Sequence, residues 1–129
     1  MKKHILAIDD EEDIRELLKR VLTLRGYRVS TAAESEAAKR IIQQDPPDLI
    51  ILDLQIEEED GLVLLDEIKP LAPNIPVLLL TGALFDRAAV RDTIEKRVSR
   101  YLDKTASLST IVSEIGRLLE DAPAAKKHV

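Results

Sequence analysis

Apolar residues along this chain fall into two kinds of run that alternate with each other. The first kind is a short unbroken block: Ile5-Leu6-Ala7-Ile8, Leu49-Ile50-Ile51-Leu52 and Val77-Leu78-Leu79-Leu80. Each block is too short for a stable helix and has no polar position on either face, so each predicts a strand buried on both sides. The second kind recurs at helical spacing. Ile14, Leu17, Leu18, Val21 and Leu22 mark one helix face, with Gly26 placed to stop it. Ala33, Ala37, Ala38, Ile41 and Ile42 repeat that spacing until Pro46 and Pro47 end it. Tyr27 to Thr31 reads as a shorter strand between these two helices. Leu62, Leu65 and Ile68 predict a third helix, followed by a loop punctuated by Pro70, Pro73 and Pro76. A weakly apolar fourth helix follows over 86–96, anchored on Val90 and Ile94. Ser99 to Leu102 reads as a last strand. Leu108, Ile111, Val112, Ile115, Leu118 and Leu119 then give a strongly amphipathic last helix.

Five strands alternating with five helices predict an α/β fold with three layers, because parallel neighbours need a helical crossover between them. At 129 residues the chain has room for one core. Residues 1–122 are expected to form one domain, and 123–129 a frayed tail or a linker cut short.

Composition narrows the setting. With no cysteine there is neither a disulfide framework nor a thiolate metal site. The opening apolar run is cut by Asp9 and Asp10 before a signal-peptide core forms, and no run approaches bilayer length. A soluble, cytoplasmic protein without membrane contact is expected. A net charge of −5 and 2% aromatics argue against a nucleic-acid surface, and no helix-turn-helix remains once the crossovers are assigned. A protein partner or small ligand fits better.

The chemistry gathers at one rim. In an open parallel sheet, ligands bind in the crevice beyond the carboxyl ends of the strands. There the chain places Asp9 and Asp10, Asp53, Thr81 and Lys104. Singly, each has a dull reading: Asp10 as a helix cap, Thr81 as a turn hydroxyl, Lys104 as a solvated lysine. Together they are harder to dismiss. Carboxylates in one cleft repel by roughly 4 kcal/mol per pair at about 4 Å and an effective dielectric near 20, so a cation must compensate. An all-oxygen set without histidine or cysteine suits Mg²⁺, with Asp9 and Asp10 as metal residues. A lysine ammonium and a threonine hydroxyl facing such a carboxylate suit a phosphoryl group. Asp53 is then the candidate nucleophile, accepting phosphoryl as an acyl phosphate.

On these residues the chain resembles the receiver domain of the two-component response-regulator family. The resemblance covers about residues 3–121 and rests on Ile8-Asp9-Asp10, Pro47-Asp48-Leu49 through Asp53, Asp60-Gly61, Leu80-Thr81-Gly82 and Tyr101-Leu102-x-Lys104. It implies a doubly wound, flavodoxin-like sheet of order 2-1-3-4-5. It also implies that Asp53 takes phosphoryl from a phosphohistidine on a sensor histidine kinase or histidine phosphotransfer protein. Asp10, Asp53 and the backbone carbonyl of Gln55 would bind Mg²⁺ directly, and Asp9 largely through water. Thr81 would then be drawn towards the phosphoryl group and Tyr101 turn inward, remodelling the face of the fourth helix, fifth strand and last helix. A monomer with a phosphorylation-dependent dimer on that face is expected. No turnover is implied beyond the domain's own phosphoryl transfer and autodephosphorylation.

The chain departs from the family's pattern at three places. Thr105 follows Lys104 where proline is usual, and a trans bond is expected there, because a non-proline cis bond costs about 2.5 to 4 kcal/mol. Glu57 replaces another usual proline and joins Glu58, Glu59 and Asp60 in an acidic loop, and Arg97-Val98 stands where Gly-Ala is frequent. Gln55 and Ala83 occupy the positions that tune acyl-phosphate hydrolysis in the family. Two alternatives remain. A degenerate, phosphorylation-independent binding module draws support only from Thr105 and Glu57. A haloacid-dehalogenase-type phosphatase wants a second aspartate as general acid where this chain has Gln55.

Overall fold

The three unbroken apolar blocks form the three central strands of a five-stranded sheet in the computed structural model, which describes residues 2–53, 61–81, 99–103 and 106–120. The strands are β1 (His4–Ile8), β2 (Arg28–Ala32), β3 (Leu49–Asp53), β4 (Val77–Thr81) and β5 (Arg100–Asp103). They run parallel in the order β2-β1-β3-β4-β5, the doubly wound, flavodoxin-like order that the resemblance implies. The helices are α1 (Glu12–Leu24), α2 (Ser35–Gln44), α3 (Gly61–Leu71) and α4 (Leu108–Glu120). The helix expected over 86–96 lies outside the described residues. Among the described residues no helix is long and apolar enough to cross a membrane.

Strand alternation sorts the core into two slabs, because successive side chains point to opposite faces. Leu6, Ile8, Ile50, Leu52, Val77 and Leu79 pack with Ala38 and Ile42 of α2 and with Leu64, Leu65 and Ile68 of α3. Ile5, Ala7, Leu49, Ile51, Leu78 and Leu80 pack on the opposite face with Leu18 and Leu22 of α1 and with Ile111, Ile115 and Leu119 of α4. Three layers follow. Each fully buried leucine or isoleucine contributes about 1.5 to 3 kcal/mol of transfer free energy, so the central strands carry much of the stability.

Gly26 stops α1 through a Schellman turn. Its φ of 94° is one that side-chain-bearing residues rarely adopt. There the Gly26 amide donates to the Thr23 carbonyl at 3.0 Å and the Tyr27 amide to the Leu22 carbonyl at 3.1 Å. Tyr27 and Leu22 then share the same apolar slab, the contact that accompanies this turn. Tyr27 therefore belongs to the cap, and β2 begins at Arg28, one residue later than the expected start.

Other boundaries shift for similar local reasons. Pro70 lies inside α3, not in the following loop, and the Ala72 amide still donates to the Ile68 carbonyl at 3.0 Å. Proline removes only its own donor, and near a helix end that loss is small. Ala33 precedes α2, whose N-cap position is Glu34, in extended conformation and without a side-chain cap bond. Leu17 was expected on the buried face of α1 but is 41% exposed, because Leu18 and Leu22 make the contact with the sheet.

The amino end of the sheet is closed by a polar clasp. His4 is buried, with Nε2 2.7 Å from Ser30 Oγ and Nδ1 3.4 Å from the Pro46 carbonyl. Its amide donates to Asp48 Oδ2 at 2.8 Å, and the Asp48 amide donates back to its carbonyl at 2.7 Å. Arg28 forms a two-pronged pair with Asp45 beside it. Hydrogen bonding to the Arg28 guanidinium holds the Asp45 carboxyl below its ordinary value of 3.8.

Two outcomes follow from these contacts. Gly26→Ala lowers the denaturation midpoint by about 1 to 2 kcal/mol, followed by circular dichroism; no atom lies within 4 Å of the added Cβ, so the cost is backbone strain. Because the folded Asp45 pKa is lowered, its contribution is present above the unfolded value and lost as pH falls through the folded one. Both partners are half exposed, so the effect is small. The difference in thermal midpoint between wild type and Asp45→Asn therefore closes on acidification below about pH 4.

Candidate functional site

Pairing of Ile8 with Leu52 brings the next residue of each chain segment, Asp9 and Asp53, to the same rim of the sheet. Both side chains are almost wholly removed from water, Asp9 at 3% exposure and Asp53 at 1%. Asp10 is half-buried and Glu11 exposed. Each of these four residues offers a carboxylate oxygen, and the four oxygens lie within 4.8 Å of one another.

The loop that carries three of them is held by its own backbone. The Asp9 amide donates to the Ala32 carbonyl at 3.1 Å, which ties the loop to β2. The Glu11 amide donates to Asp9 Oδ1 at 2.9 Å, and Arg15 Nη1 donates to the Asp9 carbonyl at 2.7 Å. The Asp9 side chain thus closes the turn into α1. Glu11 is the N-cap in extended conformation and makes no side-chain cap bond. The amino terminus of α1 follows the cluster directly, and its partial positive charge favours carboxylates there.

Two residues of this arrangement escaped the sequence reading. Glu11 was not singled out. The signal for it was its place directly after Asp9-Asp10, within a turn too short to carry it away. Arg15 was not singled out; its signal was a cation one helical turn inside α1, within reach of the loop. A third feature lies on α4, where Glu114 is a buried acid on an otherwise apolar face. Its carboxylate stands 3.1 Å from Arg100 Nε of β5 and 3.6 Å from Arg117 Nη1.

Of the other residues expected at the rim, Thr81 ends β4, one position beyond the Leu80 that pairs with Asp53. Tyr101 lies in β5 and pairs with Leu79. Gln55, Lys104, Glu57, Ala83, Arg97, Val98 and Thr105 lie outside the described residues. The donor set is all oxygen and strongly anionic, with no sulfur or imidazole, which is the chemistry of a hard divalent cation.

Residues 5–116 match the family model described as the response regulator receiver domain. Among curated proteins, the chain is 31% identical to the response regulator MprA of Mycobacterium leprae over 89% of its own length and 50% of that protein. It is 34% identical to the transcriptional regulatory protein GlrR of Escherichia coli over 94% of its own length and 27% of that protein. The chain thus spans half or less of these relatives. Among solved structures, the receiver domain of NtrX from Brucella abortus superposes with a TM-score of 0.82 at 33% identity, covering 90% of this chain and 98% of that one. A CheY-like receiver domain protein from Methanospirillum hungatei, at 23% identity and a TM-score of 0.85, shares the fold over 94% of this chain and 96% of that one. Fold, rim and matched span agree: this chain belongs to the response regulator receiver domain family.

Proposed function

We propose that Asp53 is the phosphoacceptor of this receiver domain and that Asp9 and Asp10 hold a Mg²⁺ ion beside it. The observation that carries this reading is the convergence of the Asp9, Asp10 and Asp53 carboxylates at the carboxyl ends of β1 and β3. Asp53 is the natural nucleophile because it terminates a rigid, fully buried strand, which holds its oxygens in place while a donor approaches. An Asp53 oxygen attacks the phosphorus of a phosphohistidine, the P–N bond breaks, and the imidazole leaves as an acyl phosphate forms. A bound Mg²⁺ supplies positive charge to the phosphoryl oxygens and relieves the repulsion among the carboxylates.

The chain's own residues do the positioning. Arg15 fixes the Asp9 carbonyl, and the Asp9 carboxylate fixes the Glu11 amide, so the acid-bearing loop is ordered before any ligand arrives. By the family resemblance the Gln55 carbonyl would complete the cation's donors, Lys104 would balance the phosphoryl charge, and Thr81 with Tyr101 would relay the change to the β5 and α4 face. The Arg100–Glu114 pair, which joins that strand to that helix, is part of the face that responds. Residues 1–122 are the receiver unit. The donor is a sensor histidine kinase or a histidine phosphotransfer protein in the cytoplasm, and the phosphorylated domain passes its signal to a protein target or to a second copy.

Two experiments test this. Incubation with Mg²⁺ and a small phosphodonor adds one phosphoryl group to the intact mass, and neither EDTA-treated protein nor Asp53→Asn gains it. If wild type gains none and binds no Mg²⁺, the reading falls in favour of a phosphorylation-independent module. In EDTA, Asp53→Asn melts higher than wild type by about 1 to 3 kcal/mol, since one buried like charge is gone, and the Mg²⁺-induced rise in midpoint is lost. An unchanged midpoint shift with Mg²⁺ in the variant removes Asp53 from the cation site.

A further inference from the structure

α4 carries a glycine where a helix gains nothing from one. Gly116 sits inside the helix, and glycine is a poor helix former in such a position. A Cβ there would meet only the Tyr27 hydroxyl, at 3.9 Å, which is ordinary contact, so alanine would fit. What the missing side chain leaves is space. A cleft of about 460 Å³ opens between α4 and the turn that ends α1.

The walls of this cleft are rich in donors. The Schellman turn at Gly26 sets Arg25 and Tyr27 on one wall, with the Tyr27 ring against the apolar slab and its hydroxyl near Gly116. Ser113 and Arg117 of α4 line the other, and Val112 adds an apolar patch. Among the described residues, no hydrogen bond or ion pair engages the Arg25 guanidinium or the Tyr27 and Ser113 hydroxyls. Arg117 meets only Glu114, at 3.6 Å. Among the described residues Glu120 is the single acid in the lining. Two arginines and two hydroxyl side chains therefore line one space, and among the described lining residues the charge is opposite in sign to the chain's net −5.

We propose that this cleft binds a small organic anion. Its phosphate or carboxylate is held by Arg25 and Arg117, with the Tyr27 and Ser113 hydroxyls completing its shell and a short apolar part resting on Val112. Planar guanidinium forks suit both oxyanions. Glu120 disfavours a polyanion. α1 starts at the carboxylate cluster and ends at this cleft, about 20 Å away along its axis, so the two sites are separate. The proposal does not rest on phosphorylation of Asp53.

The test is a ¹H–¹⁵N correlation titration of the labelled chain in EDTA with glycerol 3-phosphate, with glutarate and with uncharged glycerol. Saturable shifts are expected at Arg25, Tyr27, Ser113 and Gly116, with a midpoint below about 10 mM for at least one anion and none for glycerol. The tighter anion identifies the source as phosphate or carboxylate. Arg25→Gln and Arg117→Gln, both at exposed positions, each weaken binding by about tenfold while leaving the remaining spectrum and Asp53 phosphorylation unchanged. Gly116→Leu, which sets a bulky apolar side chain beside the Tyr27 hydroxyl, weakens it as well. No saturable shift with either anion, or equal binding in both arginine variants, overturns the proposal.

Discussion

Asp9 and Asp53 are two carboxylates nearly excluded from water and held side by side, and their mutual repulsion is the constraint around which this molecule is arranged. Neither can move away. Each follows or ends a strand buried on both faces, and a register slip of one residue would turn every apolar side chain of that strand to the wrong slab. The repulsion is met locally by the Glu11 amide on Asp9, by the amino terminus of α1 and by Arg15 on the loop backbone.

The two ends of the sheet contrast in this respect. At the amino end, His4 finds oxygen partners for both ring nitrogens, and its backbone exchanges hydrogen bonds with Asp48. Polar groups there are matched within the fold and serve to fasten β1 to β2 and to the turn before β3. At the carboxyl end, four acids bring carboxylate oxygens within 4.8 Å of one another. A buried polar group that is satisfied stabilises, whereas a cluster of like charges invites a ligand. The same sheet thus supplies an anchored end and a reactive one.

Much of the architecture was legible in the order of the residues. Unbroken apolar blocks at β1, β3 and β4 could only be strands covered on both faces, and the helical spacing between them required parallel crossovers. The strand order came from resemblance to the receiver family, and the observed sheet has that order. Asp9, Asp10 and Asp53 were legible because each follows or ends such a strand, where strand geometry sends it to the rim. Gly26 as the stop of α1 was legible because few other residues tolerate its backbone conformation.

Tertiary structure decided what depends on several segments at once. That Glu11 joins the carboxylates, that Arg15 reaches back to the Asp9 carbonyl, and that the Asp9 side chain closes the turn into α1 follow from how one loop folds against β2 and α1. That Leu17 is left outside while Leu18 and Leu22 are inside depends on the angle at which α1 meets the sheet. Glu114 in the core beside Arg100, and Arg25 across a cleft from Arg117, join residues far apart in the chain. Periodicity reports which face of an element is apolar. It carries no information about which polar groups meet when those faces are packed, because that is set by distances through space.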